Sequence, residues 1–234
     1  MHVLLPEKCE PPYASFYLLH GLSDDYTIWL RQTRIEMYAR QYPLVVVMPD
    51  GYQGFYTRTA QEHDYAKHFG EELVAFIEKT FPVKRRRSAR AIGGLSMGGY
   101  GALRIGLGHP DTFASVNAHS GAFLHEGSQF FTERRKDMER VFGQRFTGTE
   151  HDVLWLARRA QRAGTLPKLR IDCGTEDFLI NENRHLHRQL TKFGIPHEYL
   201  EFPGAHNWDY WDLHVREALA FHAGNLRIAK LPGW

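Results

Sequence analysis

Residues 91–107 read AIGGLSMGGYGALRIGL and carry the strongest fold signal in the chain. The segment opens with an apolar run typical of a buried strand and continues from Gly98 in residues typical of a helix. Between the two lies a G-x-S-x-G motif centred on Ser96. A sharp strand-to-helix turn strains the serine backbone, so its neighbours Gly94 and Gly98 must be small. We therefore predict that Ser96 is a nucleophile, the alternative being a glycine-rich turn with an inactive serine.

Other short apolar runs surround this segment and alternate with amphipathic stretches. The six runs that predict strands are residues 16–19, 44–48, 91–95, 115–118, 169–173 and 199–202. Several of these runs are apolar throughout, as expected for strands buried on both faces of a parallel sheet. Alternating strands and helices predict a three-layer α/β/α sandwich with a mostly parallel sheet, formed by one domain over residues 1–234.

Three further stretches predict helices, and one longer stretch predicts an insertion. Residues 64–81, 181–193 and 208–219 have helical spacing of apolar residues; the first has them at Phe69, Leu73, Phe76 and Ile77. The stretch from about 121 to 167 is longer than one crossover needs. We expect it to form a small cap over the carboxyl edge of the sheet.

A serine hydroxyl needs a base to remove its proton, and in this type of fold the order along the chain is serine, acid, histidine. His206 lies in a predicted loop before the last helix, with His119 and His20 as rivals among the 14 histidines. Asp177 lies just past the strand at 169–173, where a carboxylate can orient the imidazole. The rival acids are Glu176, its immediate neighbour, and Asp172, within the strand.

The tetrahedral intermediate requires two hydrogen-bond donors for its oxyanion. We expect them to be the backbone N–H groups of Met97, which follows the nucleophile, and of Leu22, in the loop after His20. Aromatic residues near these segments are candidates for a substrate pocket, although core packing explains each of them equally well. They are Trp208, Tyr56, Phe123, Phe130 and Phe131.

Composition excludes several other classes of function. The formal net charge of +2 gives no reason to expect a nucleic-acid partner, and the basic run at 84–87 is interpreted as a solvated loop. Two cysteines form no disulfide framework, no basic signal-peptide start is present, and no apolar run approaches the ~20 residues that span a bilayer. We expect a soluble cytoplasmic protein without membrane contact.

The spacing of the histidines along the chain does not indicate a metal site. His185 and His187 are two residues apart on a predicted helix, so their rings point about 200° apart and cannot chelate one ion. His63 and His68 are not well aligned either. We predict neither a metal nor a cofactor.

Five segments together identify a resemblance to the esterase D-like branch of the α/β-hydrolases. They are HGLSDDYTIWLRQT (20–33), PDGYQGFYT (49–57), GGLSMGGYGAL (93–103), DCGTEDFL (172–179) and PGAHNWDYW (203–211). The branch includes tributyrin-type, feruloyl and acetyl esterases and S-formylglutathione hydrolases. The resemblance implies the same nucleophile, acid, base and oxyanion amides as the spacing argument. Members usually have an additional edge strand before the segment that resembles residues 2–6. We expect that strand to be missing from this sheet. The edge left free could then pair with a second copy of the chain in a homo-oligomer.

The sequence thus predicts a serine carboxylesterase that hydrolyses small or short-chain acyl esters through an acyl-enzyme. A thioesterase of the S-formylglutathione hydrolase type and an acyltransferase are the alternatives within the same chemistry. A non-catalytic binding protein on this scaffold is the alternative of another class. The natural ester depends on residues 121–167, which match no single subfamily.

Overall fold

The structure is a computed structural model that describes residues 1–7, 9–125, 128 and 132–232. Its seven-stranded sheet has the order β1-β3-β2-β4-β5-β6-β7. The strands are β1 (His2–Leu4), β2 (Ala14–Leu19), β3 (Leu44–Met48), β4 (Arg90–Leu95), β5 (Ser115–His119), β6 (Lys168–Gly174) and β7 (Glu198–Phe202). Only β1 runs antiparallel to its neighbour among these strands. The mostly parallel sheet confirms the predicted fold class.

The helices lie between the strands in chain order. They are α1 (Ile28–Gln32), α2 (Ile35–Ala39), α3 (Tyr65–Lys67), α4 (Leu73–Thr80), α5 (Met97–Gly108), α6 (Arg135–Phe142), α7 (Val153–Arg162), α8 (Ile180–Lys192) and α9 (Trp208–Leu226). None of the described helices is both long and apolar enough to cross a membrane. Helices α6 and α7 lie in the stretch between β5 and β6 that the sequence marks as an insertion.

Alternate residues of the strands enter two separate cores, as the period of two in a β-strand requires. Tyr17 and Leu19 of β2 pack in the core that contains side chains of α4 and α5. Phe16 and Leu18 pack in the other core, with side chains of α1, α2 and α9. The sheet is therefore covered on both faces, as a three-layer sandwich.

The strand register brings several carboxyl ends to the same level. Leu19 of β2 pairs with Gly94 of β4, and Leu95 pairs with His119 of β5. Gly174, the last residue of β6, pairs with Phe202, the last residue of β7. Loops that follow these strands therefore meet at one edge of the sheet, where open α/β sheets bind their ligands.

The helix predicted over residues 64–81 is interrupted, and one of its four predicted core residues is exposed. A π-helical turn over His68–Glu72 separates α3 from α4. Such a turn inserts residues beyond the regular 3.6 per turn and rotates the buried face. Phe69, Leu73 and Ile77 are buried as expected, but Val74 is buried with them and Phe76, expected in the core, is 49% exposed.

Buried polar side chains tie helix α9 to the sheet. Asp172 of β6 accepts hydrogen bonds from His119 Nδ1, at 2.9 Å, and from the hydroxyl of Tyr210, at 3.0 Å. Both side chains are buried, and burial together with the negative charge of Asp172 raises the pKa of Tyr210. Because Tyr210 lies four residues after His206, this bond anchors the start of the helix that follows the His206 loop.

A second buried histidine, His222, makes the stability of the fold depend on pH. Burial lowers the pKa of His222 to about 3, whereas histidine in an unfolded chain titrates near about 6.5. Between these values the unfolded chain binds a proton that the folded chain excludes, so acidification favours unfolding. We expect the free energy of unfolding of the wild type to fall, relative to His222→Gln, by about 1.4 kcal/mol per pH unit below pH 6. Denaturant titrations at several pH values measure this difference, and parallel curves for the two proteins would contradict it.

Candidate active site

Ser96 occupies the sharp turn between β4 and α5. Its backbone angles are φ 53° and ψ −117°, a conformation that costs free energy for any residue other than glycine. The loop after β5 holds this conformation, since Ser96 N donates to the carbonyl of His119 at 2.9 Å and Ser96 O accepts from Ala122 N at 3.0 Å. Ser96 is partly exposed, between a buried strand and a buried helix. The turn therefore presents the hydroxyl at the carboxyl edge of the sheet.

Two glycines are required for this turn because other backbone segments approach them closely. A Cβ atom on Gly98 would lie 2.6 Å from the carbonyl oxygens of both Leu19 and His20. A Cβ atom on Gly94 would lie 2.7 Å from the Leu19 oxygen and from the backbone of Gly98. Backbone atoms of a central strand cannot move aside as a flexible side chain does. The motif thus has the steric basis that the sequence suggested.

Asp177 and His206 form a hydrogen-bonded pair at the same edge. His206 Nδ1 lies 2.8 Å from one carboxylate oxygen of Asp177 and 3.0 Å from the other. The Asp177 carboxylate is buried, and its Oδ1 also accepts from Leu179 N at 2.7 Å. With Nδ1–H donated to the carboxylate, the imidazole keeps a lone pair on Nε2. The His206 side chain is 15% exposed, so a reacting group can reach it.

The rival acids and the rival histidine His119 have other partners. Glu176 accepts from the backbone N–H of Gly204 at 2.6 Å, which ties the turn after β6 to the loop that carries His206. Asp172 faces His119, and both side chains are completely buried. Asp172 and His119 are therefore not accessible to a substrate.

His20 and Tyr56 hold the loop that contains Leu22. His20 Nδ1 donates to the carbonyl of Gly21 at 2.7 Å, and its Nε2 accepts from the backbone N–H of Gly51 at 2.8 Å. The Tyr56 hydroxyl accepts from His20 N and donates to His20 O, each at 3.1 Å. The imidazole thus uses both nitrogens in the turn.

The two amides expected to form an oxyanion hole lie at the start of α5 and in the loop after β2. Met97 is the first residue of α5, where the N–H groups have no acceptor within the helix. Leu22 lies two residues beyond His20 and lines a cleft, so its segment is open to solvent. The positive end of the helix dipole favours negative charge beside Met97.

Tyr56 does not line a substrate pocket, contrary to the sequence-based prediction. It is completely buried, and burial raises the pKa of its hydroxyl well above the ordinary value. Its position as a support for His20 leads to a prediction. We expect Tyr56→Phe to lower kcat on p-nitrophenyl acetate about tenfold with little change in KM, since it would loosen the loop of Leu22, the expected oxyanion donor, and so weaken transition-state binding.

Tyr100→Phe is the matched control for this variant. Tyr100 is also completely buried, and its hydroxyl donates to the carbonyl of His151 at 2.8 Å, away from the His20 loop. Both variants lose buried hydrogen bonds, each with a stability cost of about 1 kcal/mol. Equal losses of kcat in the two variants would show that Tyr56 has no specific effect on the His20 loop.

A cleft of about 870 Å³ adjoins the Leu22 loop. Its walls come from the loops after β2 and β3 and from helix α6 of the insertion. Carboxylates, aromatic rings and guanidinium groups line it: Asp24, Asp50, Tyr52, Tyr65, Arg134 and Arg140. Burial raises the pKa of Asp24, whose carboxylate accepts from Gly21 N at 3.2 Å. The cleft is therefore lined by charged and apolar groups together and is shaped in part by residues of the insertion.

Two of the other predicted pocket aromatics, Trp208 and Phe123, do not line this cleft. Trp208 packs against Trp29, with ring centroids 5.4 Å apart, and does not line the cleft. Phe123 is buried against Gly121 and does not line it either. Phe130 and Phe131 lie outside the described residues.

Sequence reasoning missed two aromatic residues that contact the His206 ring. Trp211 meets it edge-on with centroids 4.8 Å apart, and Phe178 lies 4.4 Å from it. Both belong to segments already singled out, DCGTEDFL and PGAHNWDYW. Their closeness in sequence to Asp177 and His206 was the signal available.

A strained serine between strand and helix, with an aspartate–histidine pair at the same sheet edge, defines the α/β-hydrolase class of serine hydrolases. Comparison with known proteins gives the family. The family described as "Putative esterase" matches residues 1–222. An acetyl esterase of Caldicellulosiruptor saccharolyticus is 35% identical over 215 residues, which cover 87% of this chain and 81% of the relative.

Two solved structures from Staphylococcus aureus have the same fold. The fluorophosphonate-binding serine hydrolase FphF is 31% identical with a TM-score of 0.82, covering 94% of this chain and 90% of its own. The S-formylglutathione hydrolase FrmB is 31% identical with a TM-score of 0.81, covering 94% and 91%. The chain belongs to the esterase family, in the esterase D-like branch of the α/β-hydrolases, and is a serine esterase.

Proposed function

We propose that Ser96, His206 and Asp177 are the catalytic triad of a carboxylesterase that acts on short-chain acyl esters. The observation that carries this proposal is the strained Ser96 turn at the same sheet edge as the buried Asp177–His206 pair. Each residue follows the carboxyl end of a parallel strand or precedes the last helix, in the order serine, acid, histidine. No metal or cofactor takes part in this mechanism.

Acylation begins when His206 Nε2 takes the proton of the Ser96 hydroxyl as its oxygen attacks the ester carbonyl. The carbonyl oxygen becomes an oxyanion, which accepts hydrogen bonds from the N–H groups of Leu22 and Met97. Asp177 stabilises the imidazolium that forms. The carbon–oxygen bond to the alcohol then breaks, and the departing oxygen takes the proton from His206 Nε2.

Deacylation repeats these steps with water in place of the serine. His206 removes a proton from the water molecule, whose oxygen attacks the acyl carbon. The bond to Ser96 Oγ breaks, and the serine oxygen regains its proton from the imidazolium. The same base therefore acts in both halves of the reaction.

Preference for a short acyl group is supported by the similarity to an acetyl esterase. A thioesterase of the S-formylglutathione hydrolase type is the second candidate, because FrmB is as similar to this chain as FphF in sequence and nearly as similar in fold. Both reactions use the same triad, so the site geometry supports either.

A panel of substrates tests this choice. Steady-state rates are measured with p-nitrophenyl acetate, butyrate and octanoate and with S-formylglutathione. We expect kcat/KM to be highest for acetate or butyrate and to decrease for octanoate. A kcat/KM for S-formylglutathione that exceeds those of all three oxygen esters would favour the thioesterase.

The surroundings of the enzyme are also part of the proposal. We place it in the cytoplasm, where two free cysteines remain reduced. We assign residues 121–167 to a cap within a single domain, because helix α6 forms one wall of the cleft beside the Leu22 loop. The edge strands β1 and β7 offer surfaces for a homo-oligomer.

A further inference from the structure

Phe178 is a large apolar side chain that remains 61% exposed next to the candidate catalytic residues. Its ring centroid lies 4.4 Å from that of His206, with an angle of 48° between the ring planes. It directly follows Asp177, the partner of that imidazole. The phenyl ring therefore offers an apolar surface to a group that approaches His206.

The local backbone holds Phe178 outward. The residues on either side of it, Asp177 and Leu179, are buried. Leu179 N donates to Asp177 Oδ1 at 2.7 Å, and Ile180 N donates to the Asp177 carbonyl at 3.0 Å. These bonds fix a tight turn in which Phe178 is exposed between two buried neighbours.

The other aromatic neighbour of His206 differs in this respect. Trp211 is buried, and its indole N–H donates to Ser120 Oγ at 3.2 Å. It meets the imidazole edge-on at 4.8 Å. Since Trp211 and Asp177 already position His206, an exposed phenyl ring is not required to hold the imidazole in place.

The proposed mechanism places the leaving alcohol beside this ring. When the tetrahedral intermediate collapses, the electron pair of the broken carbon–oxygen bond goes to the alcohol oxygen, which takes a proton from His206 Nε2. The alcohol oxygen must then be within hydrogen-bond reach of the imidazole. Atoms attached to that oxygen consequently lie within reach of the Phe178 ring.

We propose that Phe178 determines alcohol specificity by binding the apolar part of the leaving group. The ligand class is an ester of an alcohol that has an aromatic ring or alkyl chain close to its oxygen. This inference rests on the proposed function, because it requires His206 to protonate the alcohol. It concerns acylation alone, since the alcohol has left before water attacks.

Two acetates that share their acyl group test the proposal. Methyl acetate and benzyl acetate release alcohols of similar acidity that differ in apolar surface, and a pH-stat follows both reactions. We expect Phe178→Ala to lower kcat/KM for benzyl acetate about tenfold and to leave methyl acetate within about twofold, as loss of a hydrophobic subsite does. Phe178→Leu, which keeps an apolar side chain, should retain part of the preference for benzyl acetate.

Phe76→Ala is the matched control, because Phe76 is also an exposed phenylalanine, on α4. It should change neither rate. A second readout is the steady release of acetate after the burst with p-nitrophenyl acetate, which reports deacylation and should be unchanged in Phe178→Ala.

Other outcomes would overturn the proposal. Equal losses for both acetates, or slower deacylation, would mean that Phe178 acts on His206 rather than on the alcohol. Unchanged rates for both acetates would mean that the ring makes no contact with the leaving group. If the wild type hydrolyses none of the three esters (methyl acetate, benzyl acetate and p-nitrophenyl acetate), the proposed function fails, and the inference fails with it.

Discussion

Ser96→Ala is expected to lower kcat for p-nitrophenyl acetate by about 10⁴- to 10⁶-fold, as loss of a triad nucleophile does in other serine hydrolases. The variant removes the only oxygen that the proposed mechanism uses to form the acyl-enzyme. The polar contacts of Ser96 that hold the turn are made by its backbone N and O, so the fold should not change. Steady-state rates combined with a thermal melt separate the loss of chemistry from a loss of structure.

Ser23→Ala is the control for this experiment. Ser23 is an exposed serine that lines the cleft beside the Leu22 loop. Its replacement should leave kcat within about twofold, as expected for a surface change that removes no catalytic group. An Ser96→Ala enzyme that retains more than about one hundredth of the wild-type kcat would contradict the role of Ser96.

Asp177→Asn is expected to lower kcat by about 10⁴-fold. The carboxylate accepts the Nδ1–H of His206, whereas an amide can turn its NH₂ group toward the ring and stabilise the tautomer with the proton on Nε2. In that tautomer the imidazole cannot take the proton of Ser96. KM should change much less than kcat, because Asp177 is buried and does not contact the substrate.

Glu176→Gln is the matched control for Asp177→Asn. Glu176 is the adjacent acid, and its carboxylate accepts from Gly204 N, which a glutamine oxygen can also do. We expect less than about a threefold change in kcat, in the range of surface substitutions. If Glu176→Gln were as damaging as Asp177→Asn, the assignment of the acid would be wrong.

Strands and most helices could be predicted because their sequence signals are local. The run at 44–48 coincides with β3, and the predicted helix at 181–193 differs from α8 by one residue at each end. The exposure of Phe76 could not be predicted, since the π-helical turn before it leaves no pattern in the apolar spacing.

In the site, too, residues fixed by a local motif could be predicted, whereas residues fixed by contacts distant in sequence could not. Gly94 and Gly98 mark the turn because any side chain there would strike backbone atoms. Tyr56, by contrast, was interpreted as a pocket residue, although it supports His20 from 36 positions away. Such a contact depends on how the loops after β2 and β3 fold together, and sequence periodicity and motifs carry no information about that packing.

Labelling with a fluorophosphonate tests the central claim most directly, because the probe reacts with a serine only when a base activates it. Mass spectrometry of the digested protein identifies the modified residue. We predict a single phosphonylated serine at position 96 in the wild type and much slower labelling of the same residue in Asp177→Asn. Labelling of another serine, or equally fast labelling of Ser96 in both proteins, would contradict activation of Ser96 by the Asp177–His206 pair.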